Sequence, residues 1–227
     1  MERAVELTRH LDFLVKTKAK QLPDESFMLA ISGGSSPLSL FELWSGIFRE
    51  TILWENISLF WVDERAVPPN DPESNYGVAK RFLLDKIPLS PARIFRIEAE
   101  KDVREAALNY SNLISNILPV KDGFPIFDLV ILGIGDDGHT ASIFPGQTGL
   151  FSHSMAYAAS VNPYTGQQRV TMTGKIIETA KNVMFYVRGE SKQDVLNRLR
   201  ESDSDENLPA SHFLKLFGEE SLYYDKF

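Results

Sequence analysis

FDLVILGIGDDGHTASIFPG, residues 127 to 146, decides the fold. Among its first six residues, Phe127, Leu129, Val130, Ile131 and Leu132 are apolar, which predicts a strand buried on both faces, as in a parallel sheet. The run passes into Gly133 and Gly135, a turn where backbone can come close to a ligand. Two carboxylates (Asp136 and Asp137), a third glycine and His139 follow, and Pro145 and Gly146 stop any helix within about two turns. A histidine beside a carboxylate at the carboxyl end of a buried strand stands where an open α/β sheet places its chemistry.

The letters from Gly133 to Gly138 also fit the dinucleotide fingerprint in form. Two acids in the loop would repel a pyrophosphate, and Pro145 cuts the next helix short. The strand near residues 155 to 161 ends in Ser160, Val161 and Asn162, which offer no acid for a ribose. Dinucleotide binding is therefore set aside. At this point a polar loop whose histidine only hydrogen-bonds its neighbours still competes with a catalytic one.

Upstream, Phe27 to Ile31 is a short buried strand opening into Ser32-Gly33-Gly34-Ser35-Ser36-Pro37. Pro37 suits the first helical position with Ser36 as cap. Leu40, Phe41, Leu43, Trp44, Ile47 and Phe48 spread around that helix, which predicts that it is largely buried. Its start offers N–H groups, hydroxyls and a positive dipole end, a generic phosphate cradle that lacks the ending of a P-loop. An ordinary strand-to-helix turn fits the same letters. Ile57 to Val62 reads as the next strand and ends in Asp63-Glu64-Arg65, three charges that need solvent, partners or a ligand. A shaped turn (AVPPNDPESNYG) and a helix through Tyr76 to Leu84 come next, then a short strand from Ile94 to Ile97. Asp102 and Glu105 make a capping-box pattern ahead of the stripe Val103, Ala106, Ala107, Tyr110, Ile114 and Ile117.

Downstream, Met155 to Val161 and Arg169 to Thr173 read as strands on either side of NPYTGQQ. Ile176 to Ala180 reads as a helical turn or two, and Val183 to Val187 as the last strand. Arg188-Gly189-Glu190-Ser191-Lys192 leads into a helix carrying Val195, Leu196 and Leu199. Lys192 in its first turn opposes the helix dipole, a cost that a bound anion would offset, although an exposed lysine is equally ordinary there. ESDSDEN at 201 to 207 reads as a solvated acidic loop. At the other end, Ala4, Leu7, Leu11, Leu14 and Val15 predict an amphipathic helix over residues 2 to 20, with His10 on its solvated side.

Strand and helix alternate almost throughout, which calls for a single α/β domain over residues 1 to 227. The expected form is three layers, α/β/α, with a mainly parallel, Rossmann-like sheet. SGGSSP, DER, GDDGH and GESK each follow a strand, so one sheet edge can gather them. The 227 residues and 43% hydrophobic content suffice for such a core. With no cysteine, disulfides and thiolate metal sites are excluded. His10, His139, His153 and His212 form no two-histidine motif, so no metal is expected. No apolar run nears the roughly 20 residues of a membrane span, and the charged N-terminus is not a secretory signal. The expectation is a cytoplasmic protein with no membrane partner, a monomer or small homo-oligomer. A net charge of −7 without a basic block argues against nucleic acid, and any anionic ligand needs local positive charge.

Taken in order, SGGSSP, VDERAVP with ESN, LGIGDDGHTASIFPG, RVTMT and RGESK resemble the motifs of the 6-phosphogluconolactonase family. The likeness runs from about residue 27 to residue 212, and DGHTASIFPG is its most specific piece. The resemblance implies a fold related to glucosamine-6-phosphate deaminase and ribose-5-phosphate isomerase. It also implies hydrolysis of 6-phospho-D-glucono-1,5-lactone to 6-phosphogluconate in the pentose phosphate pathway, with no metal or coenzyme. Family members usually begin with an extra short strand, which this chain lacks or enters immediately, so one sheet edge is left open.

Opening a lactone needs a water nucleophile, a base, oxyanion stabilisation and a proton for the departing ring oxygen. A histidine can serve as base and then as acid, and by resemblance that residue is His139, with Asp137 orienting the site or positioning the sugar. Arg65 is the candidate for stabilising substrate or oxyanion, with glycine-loop N–H groups as alternatives. Asp63 and Asn75 would contact sugar hydroxyls. Ser35, Ser36, the Gly33 and Gly34 backbone, Arg169 and Lys192 would hold the phosphate. His153 and His212 match no catalytic motif. The rival deaminase reading shares the glycine-histidine loop, but that family has a glutamate before the proline, where this chain has Phe144, and DEY in place of DER. A non-catalytic sugar-phosphate sensor of the same fold would carry a DNA-binding segment, for which this chain has neither room nor basic character.

Overall fold

The computed structural model describes residues 1–34, 36–201 and 207–227. In chain order the elements are α1 (Glu2–Gln21), β1 (Phe27–Ile31), α2 (Ser36–Ser45), β2 (Ile57–Trp61), β3 (Asp63–Arg65), α3 (Asn75–Ala79), β4 (Ile94–Phe95), α4 (Val103–Ile117), β5 (Val120–Lys121) and β6 (Phe124–Pro125). Then follow β7 (Leu129–Leu132), β8 (Tyr157–Val161), β9 (Gln168–Met172), α5 (Gly174–Thr179), β10 (Val183–Arg188), α6 (Lys192–Glu201), α7 (Pro209–Phe217) and β11 (Leu222–Asp225). A six-stranded sheet in the order β11-β10-β7-β1-β2-β4 forms the centre, and every neighbouring pair in it is parallel. All four residues of β7 and all five of β2 are buried, as their unbroken apolar runs require when helices cover the sheet.

α1 and α2 pack on each other and on β10, while α5 and α6 pack against α7. The α1–α2 contact is closed by the buried Trp44, whose Nε1 donates to Thr8 Oγ1 at 3.0 Å. Its ring lies 6.0 Å from Phe41 and 6.3 Å from Trp54. Each such large side chain removed from water contributes on the order of 1.5–3 kcal/mol, and the indole N–H keeps a partner, so its burial carries no unpaired donor.

Asp128 is the one polar residue in the opening of the central strand, and it is buried. It accepts from Lys18 Nζ at 2.7 Å, Lys181 Nζ at 2.8 Å and the Met28 N–H at 2.8 Å. A carboxylate so enclosed is tolerable because two cations and a backbone donor replace its water. It pins α1 and the approach to β10 at the amino end of the sheet, away from the chemistry.

Several expectations meet corrections. The strand read as Ile57 to Val62 ends at Trp61, and Val62 becomes a junction. Its N–H donates to Ile31 O at 2.9 Å in the main sheet, and its carbonyl accepts from Met172 N at 2.7 Å. Asp63-Glu64-Arg65 is therefore not a strand end. It is β3, the edge of a second, antiparallel sheet in the order β3-β9-β8. The helix after SGGSSP stops at Ser45 before Gly46, a poor helix former, so Ile47 is 73% exposed rather than buried. The strand at Ile94 is two residues long. β11 was not foreseen, and it fills the sheet edge beside β10. Its Asp225 accepts from the N–H groups of Arg3 and Ala4, both at 3.0 Å, and so caps α1, whose flanking Met1 supplies no side-chain cap. Ser35 and most of the acidic run at 201 to 207 lie outside the described residues.

Candidate active site

Because β1, β2, β7 and β10 run parallel, the loops that leave them meet at one edge. A cavity of about 270 Å³ lies there, smaller than the roughly 300–1,000 Å³ of most drug-sized sites. The turn after β1 lines it with Ser32, Gly33, Gly34 and Ser36, β3 with Asp63 and Arg65, and the loop after β7 with residues including Gly135, Asp136 and His139. β9 brings Arg169 and the start of α6 brings Lys192. Three cations therefore face two carboxylates, in a chain whose net charge is −7.

The loop after β7 is folded onto itself. Gly135 N–H donates to His139 O at 2.9 Å, Gly138 N–H to Gly135 O at 2.9 Å, and Thr140 Oγ1 to Gly133 O at 2.8 Å. That fold sets His139 Nδ1 2.5 Å from Asp137 Oδ1, which also accepts the His139 N–H at 3.1 Å. Burial alone would push the Asp137 carboxyl up. The hydrogen bonds and charge of His139 outweigh it and hold the group at about 2, below the usual 3.8. An ionised carboxylate only accepts, so Nδ1 carries the proton in this pair and a neutral ring keeps its lone pair on Nε2.

Glycine is required at 135 by this close approach. A Cβ there would stand 2.1 Å from His139 Nδ1 and 2.7 Å from Asp137 Oδ1. On its other side the imidazole packs against Phe144, ring centroids 4.6 Å apart, and the Arg169 guanidinium lies 5.5 Å from the same Phe144 ring. One buried phenyl thus touches both the histidine and a cation.

Arg65 and Arg169 sit opposite each other in the β3–β9 register. Arg65 donates to Glu73 O at 2.6 Å, and Arg169 to Ser142 Oγ at 3.3 Å and Gln167 Oε1 at 3.0 Å. The Nε of each is buried without a hydrogen-bond partner among the described residues. Burial pushes the Arg169 guanidinium below its ordinary value and Asp63 pulls it back up. Two adjacent guanidiniums lining one cavity suit an anion. Lys192 Nζ, from the start of α6, donates to Ile134 O at 2.9 Å and lies 2.6 Å from Asp136 Oδ1.

The structure brings His139, Arg65, Gly33, Gly34, Ser36, Asp63, Arg169 and Lys192 to this one cavity, with Asp137 directly behind the histidine. It does not bring Asn75 to it. Asn75 is buried beneath the turn after β1, where its Nδ2 donates to Asp63 O at 2.8 Å and Asp63 Oδ1 at 3.0 Å. A Cβ on Gly33 would overlap the Asn75 amide at 1.9 Å, so glycine is what lets the turn lie on this side chain. Asp63 itself accepts from Ser142 Oγ at 2.6 Å and stands 3.6 Å from Arg169. Its carboxylate orients the cation as well as facing the cavity.

Two supports were not singled out from the sequence. Glu64 is buried and accepts from the N–H groups of Asn75, Tyr76 and Arg65, each at 2.8 Å. Burial pushes its pKa up against those three donors. Ser142 links Asp63 to Ser160, whose Oγ donates to Ser142 O at 2.6 Å. Nothing in the letters TAS marks that serine apart from any small polar residue. His153 and His212 lie away from the cavity, His153 accepting from Met155 N–H at 3.2 Å and His212 2.9 Å from Glu178 Oε1. Among the described residues no group of three or more acids and histidines is arranged to hold a metal, and no helix is long and apolar enough to cross a membrane.

The fold and cavity define an α/β protein that joins a histidine–aspartate pair to clustered cations at the carboxyl edge of a parallel sheet. The chain belongs to the glucosamine-6-phosphate isomerase/6-phosphogluconolactonase family, whose model matches residues 2–221. It is 39% identical over 198 residues to the 6-phosphogluconolactonase of Treponema pallidum, covering 87% of this chain and 82% of that one. To the Haemophilus influenzae 6-phosphogluconolactonase it is 41% identical over 182 residues, covering 80% and 76%. The solved 6-phosphogluconolactonase from Trypanosoma cruzi superposes with a TM-score of 0.79 at 27% identity, over 98% of this chain and 89% of that one.

Proposed function

We infer that this protein hydrolyses 6-phospho-D-glucono-1,5-lactone to 6-phospho-D-gluconate, the lactonase step of the oxidative pentose phosphate pathway. The names of its relatives support the reaction. The observation that carries the mechanism is the meeting of the His139–Asp137 pair with Lys192, Arg65 and Arg169 in one small cavity. Water attacks the lactone carbonyl carbon and gives its proton to His139 Nε2, while Asp137 holds the resulting imidazolium. The carbonyl electrons move to oxygen, and Arg65 or the N–H groups of the glycine loop stabilise that oxyanion. When the carbonyl re-forms, the bond to the ring oxygen breaks and His139 returns the proton to the departing hydroxyl. Lys192, Arg169, Ser36 and the Gly33–Gly34 backbone hold the phosphate, and Asp63 is placed to take a sugar hydroxyl beside Arg169.

Deamination of glucosamine 6-phosphate would require a second proton-moving group between C1 and C2. Phe144 occupies the position before the proline and packs on His139 at 4.6 Å, and a phenyl ring moves no proton. The test is a coupled assay with freshly generated lactone, corrected for spontaneous hydrolysis, run beside an ammonia assay with glucosamine 6-phosphate. Lactone loss should be accelerated and ammonia should stay at background. Ammonia at enzymatic rates without accelerated lactone loss would reverse the assignment.

The phosphate role is tested most cleanly at Lys192, because removing Arg169 also strips buried Asp63 of its cation. Lys192→Ala should weaken the phosphorylated lactone by about 1.5–3 kcal/mol, the loss of one charge-assisted contact, and leave unphosphorylated gluconolactone nearly untouched. Equal weakening of both would show that Lys192 does something else.

A further inference from the structure

The loop after β7 carries two adjacent acids with opposite fates. Asp137 is locked against His139, its side chain 17% exposed. Asp136 is 78% exposed, and its carboxylate reaches Lys192 Nζ at 2.6 Å, on the wall of the same cavity. Among the described residues no other group bonds that carboxylate, while the Asp136 backbone is held by Arg198, which donates to its carbonyl at 3.3 Å. The side chain can therefore swing on a fixed backbone. Asp63, the other carboxylate in the cavity wall, has no such freedom, being buried and held by Ser142 and Asn75 with Arg169 beside it.

We propose that Asp136 is a built-in competitor for the anion: its carboxylate occupies the Lys192 ammonium until a phosphate group takes its place, so Asp136 sets how tightly phosphorylated ligands bind. The proposal rests on the reading of this cavity as a phosphate site. Lys192 is the shared partner, 18% exposed and kept in place by Ile134 O. A phosphate arriving at Lys192 meets a carboxylate already there, and like charges cannot share one ammonium without cost. The carboxylate leaves readily because it is itself 78% exposed and water takes the place of the ammonium, so the competition tunes affinity and does not abolish binding. Release is also easy for the product, which must leave with the same phosphate. A carboxylate that instead accepted a sugar hydroxyl would act in the opposite direction, strengthening binding.

The experiment is calorimetric titration of the full chain with inorganic phosphate, which does not depend on lactone turnover, followed by KM measurements. Asp136→Asn keeps the shape and removes the charge. The phosphate dissociation constant should fall roughly two- to fivefold, the range for an ion pair with one partner largely in solvent, and KM for the phosphorylated lactone should fall with it. KM for unphosphorylated gluconolactone should not move. In a Lys192→Ala background the same substitution should give no tightening, since the competition runs through that ammonium. If Lys192→Ala weakens phosphate but Asp136→Asn leaves it equal or weaker, Asp136 is no competitor and the phosphate reading still stands. If neither the parent protein nor Asp136→Asn binds phosphate, the proposal falls together with that reading.

Discussion

Replacing His139 with alanine is expected to lower kcat for lactone hydrolysis by about 10² to 10⁴, the usual contribution of a general base, while the circular dichroism spectrum stays that of the parent and the melting temperature falls modestly through the lost contact to Asp137. The fold should survive because the ring is a partly exposed cavity wall, 27% accessible, and not part of the packed interior. Its partner helps to interpret the pH dependence. Asp137, held at about 2 instead of 3.8, contributes its stabilisation fully above its unfolded value and loses it only as pH falls through about 2. It therefore remains a carboxylate through any ordinary assay range, and a loss of rate on mild acidification does not report on it. An alanine variant that turned over lactone at nearly the parent rate would remove His139 from the mechanism.

Gly135→Ala should be nearly as damaging without replacing any reacting group. The added methyl would stand 2.1 Å from His139 Nδ1 and 2.7 Å from Asp137 Oδ1, inside any contact that real atoms tolerate. Those neighbours are side-chain tips, so the protein can relieve the clash by turning the imidazole and parting the pair. A misplacement of about 1 Å typically costs on the order of 10² in rate, and here the lost aspartate contact adds to it. The expected signature is a kcat reduced by at least that factor, with KM for the lactone changed much less because Lys192 and Arg169 lie elsewhere in the wall. Unchanged kcat in Gly135→Ala would mean that the ring position seen here is not the one that works.

Much of this was legible from residue order. The apolar runs of β1, β2, β7 and β10 announce a buried parallel sheet, and parallel connection places the loops after them at one edge. His139, Asp137, Lys192 and the SGG turn are readable because glycine, charge and proline punctuate short strands. What was hidden depends on contacts distant in sequence. Asp63-Glu64-Arg65 forms a strand against its own propensity, because Glu64 trades burial for three N–H donors, two from the start of α3 and one from Arg65 beside it. Asn75 looks like a hydroxyl ligand in the letters ESN, yet its Nδ2 is spent on Asp63 and the side chain lies under Gly33. β11 is a four-residue edge of one leucine, two tyrosines and an acid, too short to separate from a tail until β10 is known to need a neighbour. No periodicity foretells that Ser142 ties Asp63 to the β8–β9 hairpin.

Both sheets line the cavity, and Phe144 stands at their seam. The histidine rides on a loop of the parallel sheet, whereas Arg65 and Arg169 ride on the small antiparallel one, and the phenyl ring touches both His139 and Arg169. A scaffold built this way can keep the part of the cavity lined by Lys192 and the Gly33–Gly34 turn while the groups around His139 are exchanged. Few residues need to change for that, and the one at the seam is the natural pivot. A family whose description spans isomerases and lactonases is what such modularity would leave behind.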